Sequence, residues 1–319
     1  MRLRENPDDL AGLVDLAAIA LGITPELIEK DFWVTEALRV IASRKAPQII
    51  FKGGTSLSKG FDLIRRMSED IDILLYDTKA GSGKERESAL RSLTKDVAVH
   101  LGITPIVPPE REEFGRKLCS RFVYTEKTLA IGSSGVLLEL SYRGHSEPSV
   151  RLLLRSYIAE YAITRDDAKT LDYEELEGFE LNLLAPERTL MEKIFALHVA
   201  ASNVDDVRSA EELRRMARYY YDVKLLLDDD GVRAGILKLG DMETYSRTEL
   251  LQAGIGQPFS GPARPPIGYA GSPAFDSRPE IMAIIADPYD AAMRFVFNGA
   301  AQPTLVECLE TVSRYRTLL

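Results

Sequence analysis

The stretch from Phe51 to Leu75 constrains this chain more than any other. Phe51-Lys52-Gly53-Gly54-Thr55-Ser56 reads as a strand running into a glycine turn, and Ser68-Glu69-Asp70-Ile71-Asp72-Ile73-Leu74-Leu75 reads as a second strand. Fourteen residues separate Thr55 from Asp70, enough for a short helix and a return strand beside the first. Strand residues two apart share a face, so Asp70 and Asp72 project together while Ile71, Ile73 and Leu74 supply packing. Carboxylates held side by side repel unless a positive charge lies between them. A divalent metal is the usual answer, and oxygen ligands suit magnesium. The Gly-Gly-Thr turn lets the backbone approach a phosphate and offers N–H groups and a hydroxyl to hold it. A phosphate holder beside a carboxylate pair is the equipment of metal-assisted nucleotidyl transfer.

The rest of the chain sets bounds on that reading. Its 319 residues suffice for one large or two moderate domains with a sizeable core. A formal net charge of -9 argues against a basic coat for indiscriminate nucleic-acid binding, though not against a local basic groove. Cys119 and Cys308 are far apart and in no metal-ligand spacing, which suits small core hydrophobes. The N-terminal residues do not resemble a signal peptide, and no apolar run approaches a bilayer-spanning length, so a cytoplasmic protein without membrane contact is expected.

Helical periodicity covers residues 9–21, stopped by Gly22, and a second helix is expected over 25–43 with Thr24 as N-cap and Pro25 at its first position. Strands are expected over 48–51, 70–75, 117–125 and 136–142, with Gly132-Ser133-Ser134-Gly135 suggesting a hairpin-like connection, and a last strand over 180–184. A flexible polar segment over 77–84 and a helix over 85–101 separate the second and third strands. From Pro186 the chain reads as helical: 186–202, 204–227, 242–253, 279–286 and 305–318. Composition therefore shifts near Ala185. The expected fold class is α+β, with a mixed-sheet domain over 1–185 and a mostly helical domain over 186–319 completing the active-site cleft. The proline- and glycine-rich stretch 254–272 is the one long irregular segment, either gating an acceptor site or connecting helices.

Three further residues invite chemistry. Glu139 interrupts the apolar run Val136-Leu137-Leu138-Glu139-Leu140; it either faces solvent or, if its strand neighbours that of Asp72, adds a third carboxylate to the metal site. Lys193 borders the apolar face set by Leu190, Ile194 and Leu197; it either snorkels to solvent or reaches a triphosphate. Asp222 follows arginines and tyrosines and either pairs with Arg218 one helical turn away or sits beside a cleft that contacts phosphate and stacks bases. Ala80-Gly81-Ser82-Gly83-Lys84-Glu85 fails the P-loop pattern at two positions, and His100, His145 and His198 lack zinc-ligand spacing.

With Lys52-Gly53-Gly54-Thr55-Ser56-Leu57 and Ser68-Glu69-Asp70-Ile71-Asp72 on the page, the chain resembles the AbiEii/AbiGii nucleotidyltransferase toxins of type IV toxin–antitoxin systems, within the DNA polymerase β-like superfamily. Glu29-Lys30-Asp31-Phe32-Trp33-Val34-Thr35, Pro186-Glu187-Arg188-Thr189-Leu190-Met191-Glu192-Lys193 and Arg218-Tyr219-Tyr220-Tyr221-Asp222 agree in order and spacing, so the resemblance spans residues 25–227. The turn-to-aspartate gap is slightly longer than in many superfamily members, and no motif is legible after about residue 228. The resemblance implies that Asp70 and Asp72 bind two magnesium ions and that Thr55 and Gly54, with Lys52, Gly53 and Ser56 in the same turn, hold the nucleoside triphosphate. It makes Lys193 the phosphate-neutralising lysine and Asp222 a further active-site acid. Glu139 matches the superfamily's third carboxylate only by its place on a later strand.

The same resemblance implies a metal-dependent transfer of a nucleotide from a nucleoside triphosphate to RNA, at the acceptor end of tRNA, which blocks translation. A cognate antitoxin protein is the implied partner. Two alternatives remain open at this point: transfer to a small molecule or protein acceptor, and a non-catalytic relative that only binds nucleotide.

Overall fold

Proline and glycine punctuate the first helices. The structure, a computed structural model, describes residues 1–45, 48–66, 68, 70–76, 81–108, 112–124, 135–165, 172–240, 261–297 and 299–319. Helix α1 (Pro7–Leu21) starts on Pro7 and stops at Gly22, whose φ of 66° is a left-handed cap that favours glycine. Helix α2 (Pro25–Ser43) starts on Pro25, but Thr24 makes no side-chain capping bond. The pre-set φ of proline, rather than a hydroxyl cap, starts this helix.

Strand β1 (Gln48–Lys52) leads directly into helix α3 (Gly53–Lys59), and β2 (Asp70–Tyr76) returns antiparallel to β1. Helix α4 (Gly83–Leu101) opens with a reciprocal cap in which Ser82 and Glu85 satisfy each other's backbone N–H groups. That cap explains the Ser-Gly-Lys-Glu stretch that superficially resembles a phosphate loop. Strands β3 (Lys117–Phe122) and β4 (Val136–Ser141) are antiparallel, and β4 runs parallel to β2. Of the expected segments around them, residues 77–80 and 125–134 lie outside the described residues. Strand β5 (Ser149–Leu154), helix α5 (Tyr157–Ile163) and strand β6 (Phe179–Leu184) follow, and β6 pairs parallel to β1. The six strands take the order β3-β4-β2-β1-β6-β5. The fold is α+β with a mixed sheet, the class expected from the sequence.

Cα packing divides the chain into two units, residues 1–60 with 68–183 and residues 61–67 with 184–319. In the first, Ile49, Phe51, Ile71, Ile73 and Leu75 are all nearly inaccessible to solvent. An open cavity of about 290 Å³ lies between β1, β2 and α4, lined by Ile49, Leu75, Ala89 and Leu93 together with polar Ser88 and Ser92. A second cluster joins Leu10, Leu13, Val14 and Ala17 of α1 to Ile28 and Phe32 of α2 and Ile158 and Tyr161 of α5.

The second unit is helical: α6 (Pro186–Ser202), α7 (Val207–Arg215), α8 (Arg218–Asp228), α9 (Asp230–Lys238), α10 (Pro279–Met293) and α11 (Leu305–Arg314). The single helix expected over 204–227 is two helices, broken at Met216 and Ala217, and α9 was not foreseen. Residues 242–253 lie outside the described residues, as do 254–260 of the irregular stretch. Its described remainder is tied down. His198, held below the usual imidazole range by burial, binds Ser272 Oγ at 2.9 Å and the Ala263 carbonyl at 3.1 Å. The Tyr269 N–H donates to the Leu319 carbonyl at 2.8 Å. Among the described residues no single helix is long and apolar enough to cross a membrane.

Candidate active site

Strand pairing in the first unit places a polar row across one face of the sheet. Lys52 on β1 pairs with Asp72 on β2, Asp72 with Glu139 on β4, and Glu139 with Cys119 on β3. Paired residues share a face, and Asp70, two positions from Asp72, joins them while Ile71 and Ile73 turn to the covered side. Both aspartates are half-buried.

Gly53 touches this row directly. Its φ is 79°, and a Cβ there would collide with Asp72 Oδ2. The position therefore excludes side chains twice, by backbone conformation and by the closeness of the carboxylate. Gly53 opens α3, so its N–H and that of Gly54 belong to the group of amides a helix leaves unsatisfied at its start. Thr55 Oγ1 donates to the Asp70 carbonyl at 2.5 Å, which joins the turn to the start of β2. Ser56 is fully buried and its hydroxyl donates to the Gly53 carbonyl at 2.9 Å. Its hydroxyl shapes the turn rather than facing a ligand.

Glu139 stands beside Asp72 in register and is paired with a lysine. Its Oε1 lies 2.7 Å from Lys117 Nζ, each side chain about one-quarter exposed. Burial would lower the Lys117 pKa, but the charge and hydrogen bond of Glu139, with Cys119 and Asp72 adding, hold it above its ordinary value. A lysine cation thus occupies the neighbourhood in which a third carboxylate was expected to serve a metal. Among the described residues no three His, Cys, Asp or Glu side chains gather as a metal-holding group. The strand of Glu139 does neighbour that of Asp72, with the two residues opposite each other in register, and the Glu139 carboxylate is turned to Lys117. Asp70 and Asp72 nonetheless fit magnesium, which commonly takes one or two protein carboxylates and completes its shell with substrate phosphates and water. The absent side chain of Gly53 lets the Asp72 carboxylate close on the turn.

Lys193 and Asp222 belong to the second unit. Lys193 on α6 is 5% exposed and Asp222 on α8 is 0% exposed. Lys193 Nζ lies 2.9 Å from Asp222 Oδ2 and 3.9 Å from the Tyr219 ring centroid. Arg66 completes the group, its Nε and Nη2 donating to Asp222 Oδ1 and Oδ2, each at 2.7 Å. Burial would raise the Asp222 pKa, but Arg66 and Lys193 outweigh it and hold the carboxyl at about 2. Lys193 does not snorkel, and the pair to Arg218 is replaced by these two cations. Sequence spacing had no means of finding Arg66, which stands 156 positions from its partner.

The Glu-Lys-Asp block on α2 also acquires a role. Asp31 accepts from Lys59 Nζ at 2.6 Å and from the Tyr157 N–H at 2.7 Å. It therefore ties the last turn of α3 to α2 and α5, at the end of the helix whose beginning carries the glycines.

A family model described as nucleotidyl transferase AbiEii toxin, type IV TA system, matches residues 36–310. The chain is also similar to the solved structure of MenT4, a nucleotidyltransferase toxin from Mycobacterium tuberculosis H37Rv, at 17% identity, with 96% of each chain covered and a TM-score of 0.39. No curated protein sequence matches the chain.

Proposed function

The chain belongs to the AbiEii nucleotidyl transferase toxins of type IV toxin–antitoxin systems, and on that premise we propose that Asp70 and Asp72 form its catalytic metal site and that RNA is its acceptor. Family membership makes it a nucleotidyltransferase that consumes a nucleoside triphosphate and has an antitoxin partner. One observation carries the assignment of the site. The two half-buried carboxylates share a face of β2, and Asp72 lies against a left-handed Gly53 whose missing side chain lets the carboxylate and the backbone turn come together.

Asp70 and Asp72 would hold magnesium, which when bound supplies Lewis-acid polarisation of the phosphoryl oxygens and a lowered pKa for the acceptor hydroxyl. The amides of Gly53, Gly54 and Thr55 orient the β- and γ-phosphates, the Thr55 hydroxyl fastens the turn to β2, and Lys52 and Ser56 frame it. Lys193 neutralises triphosphate charge, and Asp222 supports it. The acceptor is the 3′ end of tRNA, and the added nucleotide blocks translation.

The test is transfer of each of the four radiolabelled nucleoside triphosphates onto total cellular RNA with magnesium, beside an Asp72→Ala control. Ribonuclease-sensitive label on tRNA-sized RNA, absent in the control, is the expected result. Label that survives ribonuclease would replace RNA by a protein or small-molecule acceptor. Label that persists in Asp72→Ala would overturn the carboxylate assignment.

A further inference from the structure

Asp222 is too well held to act as a proton acceptor. Its Oδ1 takes Arg66 Nε, and its Oδ2 takes both Arg66 Nη2 and Lys193 Nζ. It has no solvent exposure, and Arg66 is only 2% exposed. A general base needs an oxygen within reach of the proton it removes, and a metal ligand needs a lone pair turned to the ion. Here three donors converge on the two oxygens. The paired Arg66 fork fixes the plane of the carboxylate, which a lysine could not do.

Arg66 is itself anchored. The Arg65 N–H lies 3.4 Å from Tyr221 Oη, the Phe297 N–H donates to the Arg65 carbonyl at 2.8 Å, and Arg66 bridges to Val296. The segment that carries the arginine is thus fastened to α8 and to the residues after α10. Lys193 contributes an ammonium with three donors at the end of a long stem. One donor meets Asp222, and the ammonium also lies on the face of Tyr219. At 5% exposure the ammonium is largely withdrawn from water, so an anion that reached it would meet little competition from solvent.

We propose that Arg66 and Asp222 are positioning residues that aim the Lys193 ammonium at a phosphate of the nucleoside triphosphate. Arg66 balances the Asp222 charge, so that the carboxylate orients Lys193 without cancelling it. Ordering the lysine before the nucleotide arrives lowers the entropic cost of binding. This inference rests on the assignment of Lys193 to the nucleotide given above.

The experiment uses the full chain and the variants Arg66→Lys, Arg66→Met and Asp222→Asn. Two readouts are taken: KM and kcat for the preferred triphosphate, and the nitrogen-15 resonance of the Lys193 ammonium. The clamp predicts that each variant raises KM by roughly tenfold or more with kcat changed far less. It also predicts a slowly exchanging Lys193 ammonium signal in the native protein that is lost or broadened in both Arg66 variants. A fall in kcat at unchanged KM in Asp222→Asn would overturn the inference in favour of a chemical role for that carboxylate. An unchanged Lys193 signal in Arg66→Lys and Arg66→Met would overturn it as well. If the native protein transfers no nucleotide, the transferase reading fails, and the ammonium signal still decides the clamp.

Discussion

Asp72 and Glu139 are register partners on the parallel strands β2 and β4, yet Glu139 gives its charge to Lys117 2.7 Å away. Two carboxylates on adjacent strands would repel, and the lysine relieves that repulsion without a metal ion. The row can therefore fold before any cation binds. The same lysine also opposes a cation that approaches Asp72.

Replacing Lys117 by Met should accordingly strengthen metal binding. The variant frees Glu139 and removes a positive charge from the row, so manganese or magnesium should bind about tenfold more tightly, equivalent to ~1.4 kcal/mol. Calorimetric titration of the metal into nucleotide-free protein reads this directly. Weaker binding in Lys117→Met would show that the lysine organises the carboxylates rather than competing with the ion.

Gly53→Ala should damage the reaction out of proportion to its size. Alanine at a φ of 79° costs about 1–2 kcal/mol, and its Cβ meets Asp72 Oδ2. The carboxylate must move, and displacements on the order of 1 Å at a reacting centre cost about a hundredfold in rate. Circular dichroism should remain native while nucleotide transfer falls by roughly that factor. Native transfer by the variant would remove Gly53 from the site.

The α3 anchor should be a stability element with a catalytic echo. Lys59 and Asp31 are 5% and 10% exposed as side chains. Removing either leaves the other buried without its partner, which costs about 3–5 kcal/mol. Asp31→Asn and Lys59→Met should each lower the urea midpoint, and the double variant should lose less than their sum. Additive losses would show that the pair is not coupled.

These ionic pairs also mark how far the sequence could be read. The β1–α3–β2 unit was legible because glycine and paired aspartates carry local information, and Pro25 and Pro186 mark the first positions of α2 and α6. The α+β class followed from that unit and the helical run after it. Lys117, Lys59 and Arg66 were not legible as partners, since their pairing depends on which strands and helices become neighbours. The break between α7 and α8 has no glycine or proline to announce it; buried Leu213 precedes it and buried Ala217 lies in it, so packing rather than local propensity sets it. Strand β5 lies at the sheet edge, where Val150 and Leu153 are exposed, so a clear alternation of apolar and polar residues is missing.

Acid stability should report the Asp222 group. An unpaired aspartate titrates near 3.8, and here the carboxyl is held at about 2. A depressed native pKa contributes stability that is complete above the unfolded value and is lost as pH falls through the native one. The group should therefore add about 2–3 kcal/mol near neutral pH, declining between roughly pH 4 and pH 2. Asp222→Asn keeps the shape but leaves two buried cations facing a neutral amide, so it should be destabilised most near pH 7. As pH falls below 4, the native protein loses its advantage and the two unfolding curves should converge. Urea melts of both proteins across this range test the point, and a gap that stays constant down to pH 2 would place the titrating carboxylate elsewhere.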